Sequence, residues 1–177
     1  MEEIEVMYKR VWETLDRMNA EAEKRNAEAE KRMKKLEKLV GSISYNNGSF
    51  AEEYFFNAFE NGEQNFFGEK FDDIEKNLKH KTKKVKYEYD IVLYNSVSVA
   101  IIEVKYKAHE NDIPHVINQA KTFRETYPDY RDYKIYLGLA SMSFYPELEQ
   151  ECSRNGIAII KQVGETVVIN DTNLKVF

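Results

Sequence analysis

One cysteine in 177 residues, Cys152, leaves no intramolecular disulfide and no cysteine-cluster metal site. Proline is nearly as scarce, at three, and residues 1–40 contain neither proline nor glycine to interrupt a helix. No apolar run approaches the roughly 18 residues of a membrane span. The opening MEEIEVMYKR carries acids where a leader peptide would carry basic residues before an apolar stretch. A reducing, cytoplasmic setting is the expectation. An excess of positive charge is missing too. The formal net charge of −5 argues against indiscriminate coating of nucleic acid. No phosphate-cradling glycine loop and no nucleophile with a partnered histidine occurs. His80, His109 and His115 lack ligand-like spacing and are expected at the surface.

What is present is aromatic and charged. Twelve Tyr and 10 Phe give an aromatic content of 13%, enough to bury considerable apolar area in a short chain. Charge is uneven: Lys76, Lys79, Lys81, Lys83, Lys84 and Lys86 fall in one stretch with no acid among them.

Residues 1–41 read as a helical arm. The heptad NAEAEKR occurs twice in succession, at 19–25 and 26–32. With Leu15, Ala22, Ala29 and Leu36 at d, the a positions are Trp12, Asn19, Asn26, Met33 and Val40. Arg25 and Arg32 at g then meet Glu30 and Glu37 at e′, the charge match of a parallel two-stranded coil. Asn at a costs stability and favours a dimer in one register. The pattern predicts a homodimer through this helix, with packing back on its own domain as the alternative. Gly41 is expected to end the helix.

Residues 42–177 read as one α/β domain. A loop containing Asn46, Asn47 and Gly48 is expected to lead into the amphipathic helix SFAEEYFFNAFEN, with Ser49 and Glu52 at capping-box spacing. A weak pattern from Phe71 to Leu78 is followed by strands over 84–94 and 98–107. A helix from Asp112–Pro114 to about Tyr127, a strand over 134–140, a helix from Pro146 to Asn155 and two final strands around Gly164 complete the order αβββαβαββ. Mixed order of this kind predicts a sheet covered on both faces.

The segment YEYDIVLYNSVSVAIIEVKYK carries the chemistry. Alternate side chains of a strand share a face. With Ser96 and Val97 as the loop, Asp90 lies opposite Glu103, and Asp90, Val92 and Tyr94 share a face with Val99, Ile101, Glu103 and Lys105. Tyr89, Ile91 and Leu93 take the other face. Like charges directly opposed destabilise a sheet unless compensated, and a divalent cation or Lys105 would compensate. An exposed sheet edge with a simple Glu103–Lys105 ion pair is the bland alternative.

Asp90, followed after twelve residues by Glu103-Val104-Lys105 at the end of an apolar strand, resembles the motif of the PD-(D/E)XK nuclease superfamily, with Tyr89 where the motif has proline. The resemblance covers about residues 42–175. It extends to poorly characterised bacterial members in which a coiled coil precedes the fold. It implies a restriction-endonuclease-like mixed sheet flanked by helices, a Mg²⁺ (or Mn²⁺) cofactor and DNA as partner. Asp90 and Glu103 would hold the metal, and Lys105 would orient or deprotonate the attacking water or stabilise the transition state. Glu52 matches the glutamate often found on the preceding helix, as a further metal ligand, although it also fits a capping box with Ser49. Gln119, four residues before Phe123, resembles the QxxxY helix motif, although it also fits a polar position beside the apolar stripe.

Lys81, Lys83, Lys84 and Lys86 enter the Asp90 strand and would contact phosphates, or else form a solvated edge strand. The reading is thus a Mg²⁺-dependent nuclease hydrolysing DNA. The alternative is a catalytically silent nuclease-fold module that binds nucleic acid or a protein partner as a coiled-coil dimer.

Overall fold

A computed structural model of the chain describes residues 2–62, 65–81 and 86–177. The chain divides into two compact units, Met1–Tyr45 and Asn46–Phe177. Helix α1 (Glu2–Asn61) begins in the first and ends in the second. It runs through Gly41, through the expected Asn46–Gly48 loop and through Ser49, which is therefore not an N-cap. Glycine ends a helix by turning left-handed, and neither Gly41 nor Gly48 has a positive φ. In the first unit Trp12, Leu15, Met33, Leu36 and Val40, the large apolar a and d residues, are all exposed.

The second unit is built on a sheet. A two-stranded hairpin, β1 (Asn65–Phe66) with β2 (Glu69–Lys70), precedes it and was not anticipated. Its turn uses positive φ at Phe67 and Gly68. There follow β3 (Asp73–Lys81), β4 (Lys86–Tyr94), β5 (Ser98–Lys105), α2 (Ile113–Thr126), β6 (Lys134–Ser141), α3 (Pro146–Asn155), β7 (Ala158–Val163) and β8 (Thr166–Asn170). The six strands β3 to β8 lie in sequence order. β5, β6 and β7 are parallel; β3, β4 and β8 are antiparallel to their neighbours. This is the mixed α/β sheet flanked by helices that the sequence predicts.

Both faces are covered. Ala51, Phe55 and Phe59 of α1 pack with Ile91, Leu93, Ala100 and Ile102 on one face. Val116, Ala120 and Phe123 of α2 and Leu148 and Cys152 of α3 pack with Val92, Val99, Ile101, Leu137 and Leu139 on the other. Full burial of a Phe or Leu side chain is worth about 1.5–3 kcal/mol, so the helices are held by these stripes. Near the centre, Gly138 lets Ile160 and Ile102 close over β6, where a Cβ would fall 2.8 Å from Ile160 Cδ1. Burial holds the Cys152 thiol up at about 12, so it is no nucleophile.

The β4–β5 loop is Ser96–Val97 as expected, with the Asn95 amide donating to the Ser98 carbonyl at 3.0 Å. Asn95 Oδ1 accepts from the Val97 and Ser98 amides at 2.9 and 2.7 Å. This fixes the register Ile91↔Ile102 and Tyr94↔Val99.

The face assignment of the outer half of β4 is corrected. Tyr89 does not share the α1 face with Ile91 and Leu93; it lies in the α2 core, with its hydroxyl 3.1 Å from Thr122 Oγ1. β3 changes faces at the same level: Ile74 packs in the α1 core and Lys76 against the Phe56 ring, whereas Leu78 and His80 meet the α2 side. The register of the two strands is unchanged across this point, with Lys76↔Ile91 and Leu78↔Tyr89, but Asn77 and Asp90 are not paired. Asn77 has φ of 54°, a left-handed conformation that asparagine tolerates better than most residues. The ribbon turns over at the Asn77–Asp90 rung.

Candidate functional site

Asp90 sits at that turnover, so the simple alternation of faces does not place it. Beyond Ile91↔Ile102 the pairing of β4 with β5 ends, and Asp90 Oδ2 accepts the Val104 amide at 2.8 Å. The pairing thus stops one residue short of the Asp90–Glu103 pair that the sequence predicts. The strands part here and leave an open cleft of about 510 Å³ between the outer half of β4 and α2. Lys86, Tyr87, Asp90, Glu103, His115 and Gln119 are among its lining residues. It lies at the carboxyl end of β5, where parallel strands of α/β sheets offer their ligand sites.

Glu103 is the centre of the cluster and is only 4% exposed. Lys105 Nζ donates to its Oε1 at 2.6 Å, and Gln119 Nε2 donates to its Oε2 at 2.6 Å. His115 Nε2 stands 3.6 Å from Oε2. Such partners offset the cost of burying a carboxylate. Burial alone would lower the Lys105 ammonium, but the Glu103 carboxylate, with help from Asp90, outweighs it and raises its pKa. Lys105 is therefore a cation at neutral pH and a donor rather than a base.

Asp90 behaves in the opposite way. Burial, and then the negative charge of Glu103, push its carboxyl up to about 7; the Val104 amide and Lys105 oppose this without cancelling it. Glu52, on α1, is half-buried and also raised, first by burial and then by Glu88, with Asn77 donating a hydrogen bond to it. Glu52 lies within electrostatic reach of Asp90 and Glu103. Its alternative role with Ser49 disappears, because Ser49 lies inside the helix.

Of the residues expected from sequence, Asp90, Glu103, Lys105 and Gln119 thus form one connected cluster. Glu52 approaches it from the α1 side. Glu53, one residue on, is exposed and pairs with Lys76 instead. Lys86 lines the cleft and Lys81 is exposed at the far end of β3. Lys83 and Lys84 lie outside the described residues. His115 is exposed, as expected, but its Nε2 also stands beside Glu103, a neighbour the sequence reading did not assign to it. The signal was its position four residues before Gln119, on the same helix face. His80 likewise has a partner, the Tyr127 ring at 5.8 Å.

The donor set is made of hard oxygens. Asp90 and Glu103 each keep lone pairs beyond their present hydrogen bonds. Gln119 Oε1, beside them, is buried without a hydrogen-bond partner. Among the described residues no group of three His, Cys, Asp or Glu side chains is set to hold an ion by itself. Two carboxylates completed by water suit Mg²⁺, which keeps several of its waters, better than zinc, which takes three or four protein ligands. The residues therefore fit Mg²⁺ or Mn²⁺.

No helix among the described residues is long and apolar enough to cross a membrane. No family model and no curated protein matches the chain. Among solved structures it is similar to Can2 from Sulfobacillus thermosulfidooxidans in complex with cyclic tetra-adenylate (cA4). The TM-score is 0.44 and the identity 16%, over 63% of this chain. The chain spans 32% of the length of that one.

Proposed function

We propose that this chain is a metal-dependent nuclease hydrolysing DNA phosphodiester bonds, with Asp90 and Glu103 as the metal ligands and Glu52 as a third acid. The observation that carries this is Glu103: a 4% exposed carboxylate clasped by Lys105 and Gln119. A second acid beside it holds its proton to about pH 7. An ion pair serving only stability has no use for that neighbour, which costs the fold free energy.

Bound to the two carboxylates, Mg²⁺ or Mn²⁺ would supply charge neutralisation at the scissile phosphate and acidify an attacking water. The chain's own groups do the rest. Lys105, kept cationic, holds that water by hydrogen bond and stabilises charge developing on the phosphoryl oxygens. Gln119 and the Val104 amide fix the orientation of Glu103 and Asp90. Lys86, at the mouth of the cleft, holds a flanking phosphate, with Lys81, Lys83 and Lys84 extending the same basic run.

A metal-dependent nicking assay on plasmid and on single-stranded DNA tests the reading. The parent should cleave with Mg²⁺ or Mn²⁺ and not with EDTA, while Glu103→Ala and Lys105→Ala should lose at least about a hundredfold. Equal cleavage by all three proteins, or none by any, sinks it.

A second reading has its own support in the lack of a three-ligand group among the described residues and in the net charge of −5. It is a silent nuclease-fold module that binds nucleic acid or a protein partner. Binding without metal-dependent cleavage selects it.

The arm is proposed to form a parallel homodimer through the exposed Trp12, Leu15, Met33, Leu36 and Val40 seam. Replacing Asn19 and Asn26 by Leu should stabilise the coil and relax its oligomer specificity, and a monomer before and after in sedimentation rules the dimer out.

A further inference from the structure

The turnover of the β3–β4 ribbon brings a second set of side chains to the cleft, and the metal chemistry uses none of them. Without it, Tyr87 and His80 would face α1. With it, they stand as direct cross-strand partners on the α2 side. Tyr87 is half-buried and lines the cleft that holds Asp90 and Glu103. His80 leans on the Tyr127 ring at 5.8 Å, and Tyr127 in turn lies 6.3 Å from Tyr89 and 4.8 Å from Phe123. The aromatic wall is braced from behind, so its open side keeps its shape.

The alternate residues of the same ribbon carry charge. Lys79 and Lys86 both reach Glu88, at 3.0 and 3.4 Å, and Lys81 lies opposite Lys86. Among the described residues at this end of the ribbon these three lysines stand against one glutamate, an excess of positive charge. Rings that alternate with ammonium groups, beside a carboxylate pair suited to phosphate chemistry, form the pattern of single-strand binding. There, bases stack on aromatics while the backbone follows the positive charge.

We infer that the cleft admits one unpaired nucleotide of a polynucleotide strand, with its base against Tyr87, its phosphate toward Lys86 and its sugar–phosphate link at Asp90 and Glu103. The inference deepens the nuclease reading and rests on its placement of the scissile phosphate. In a paired duplex the phosphates lie outside and the bases are stacked on one another. A site that cuts a duplex from outside therefore gains nothing from a ring beside its carboxylates. A volume of about 510 Å³ falls in the range that encloses one small-molecule-sized group. The substrate class is thus single-stranded DNA or RNA, or a frayed or flipped position within a duplex.

The test is binding of the full chain to a short fluorescent oligonucleotide, single-stranded or annealed to its complement. Ca²⁺ replaces Mg²⁺ and the salt concentration is held fixed. A second oligonucleotide carries 2-aminopurine, whose emission falls on stacking. The expected result is single-strand binding at least about tenfold tighter than duplex binding, with 2-aminopurine quenched. Tyr87→Ala should weaken it roughly five- to a hundredfold, and Tyr87→Phe should stay within about threefold of the parent. Equal affinity for duplex and single strand overturns the inference, as does parent-like binding by Tyr87→Ala. Should Tyr87→Ala fail to fold by circular dichroism, the parent decides, and unquenched 2-aminopurine overturns it. Quenched, Tyr87-dependent binding without cleavage removes the nuclease reading and leaves this one. Cleavage with no preference for unpaired DNA does the reverse.

Discussion

The Val104 amide donates to Asp90 Oδ2 at 2.8 Å, one residue beyond the last paired position of β4 and β5. A side-chain oxygen thereby holds together two strands whose backbones have begun to part. The same oxygen belongs to a carboxyl whose proton is retained to about pH 7, so structure and titration meet at one atom.

Stability without metal should consequently depend on Asp90. Its pKa in the folded chain lies above that in the unfolded chain, so between about pH 4 and pH 7 the folded state binds the extra proton. Stability is greatest below about pH 4 with respect to this group, falls as pH rises, and levels off above about 7. The loss is on the order of 4 kcal/mol at most. Urea unfolding in EDTA across that window measures it. Asp90→Asn keeps an acceptor for Val104 and should flatten the profile. Mg²⁺ at the site should raise Tm more at pH 8 than at pH 5.

Lys105→Met separates stability from chemistry. The substitution keeps the length of the side chain and removes the partner of a buried carboxylate, costing about 1–3 kcal/mol because the ammonium itself is part-exposed. Glu103→Gln with Lys105→Met removes both charges and should recover part of that stability but none of the proposed cleavage. Thermal unfolding beside the nicking assay reads both. Full additivity of the two single changes would contradict the 2.6 Å pairing.

How much of this could be read from sequence depends on which signals survive folding. The Ser96–Val97 loop and the β4–β5 register were legible, because Asn95 is a turn former between two β-branched runs. The order of strands and helices was legible for the same local reasons, and so was the closeness of Lys105 to Glu103; Gln119 came only from the family resemblance. The length of α1 was not, since a glycine in a helix is a cost of about 1 kcal/mol rather than a stop. The face exchange at Asn77 was hidden because the register continues through it and the every-other-residue apolar pattern of the sequence shows no break there, although the faces themselves exchange. His115 was passed over because its partner, Glu103, is distant in sequence and only the packing of α2 on β5 brings them together.

Asn77 offers a direct probe of that exchange. Its φ of 54° is open to glycine and strained for a branched residue, by about 1–2 kcal/mol. Asn77→Gly should leave Tm within a few degrees, while Asn77→Val should lower stability by about that amount and disturb the Tyr89–Thr122 contact. Near-ultraviolet circular dichroism reports the tyrosine packing. Equal stability of Gly and Val variants would mean that the left-handed turn is not held in solution.

The opposite end of the sheet has its own titration. Glu69 accepts from Tyr136 at 2.6 Å, Asn95 at 3.1 Å and Lys134 at 3.2 Å. Burial raises its pKa, but the neighbouring Ser98 hydroxyl, together with these three donors, prevails and holds it at about 2. Its stabilisation is complete above the usual carboxylate range and is lost as pH falls from about 4 through 2. Glu69→Gln should cost about 1–3 kcal/mol at pH 7 and little at pH 2, read by thermal melts at the two values.

The turnover at Asn77 and Asp90 also limits how this ribbon can change. Because it exchanges the faces while leaving the register intact, a swap of the outer β3–β4 hairpin chosen by sequence pattern would match every position and still be mirrored. Residues meant for the α1 side would arrive against α2. The outer hairpin is thus interchangeable with another only as a unit that brings its own left-handed residue at the position of Asn77.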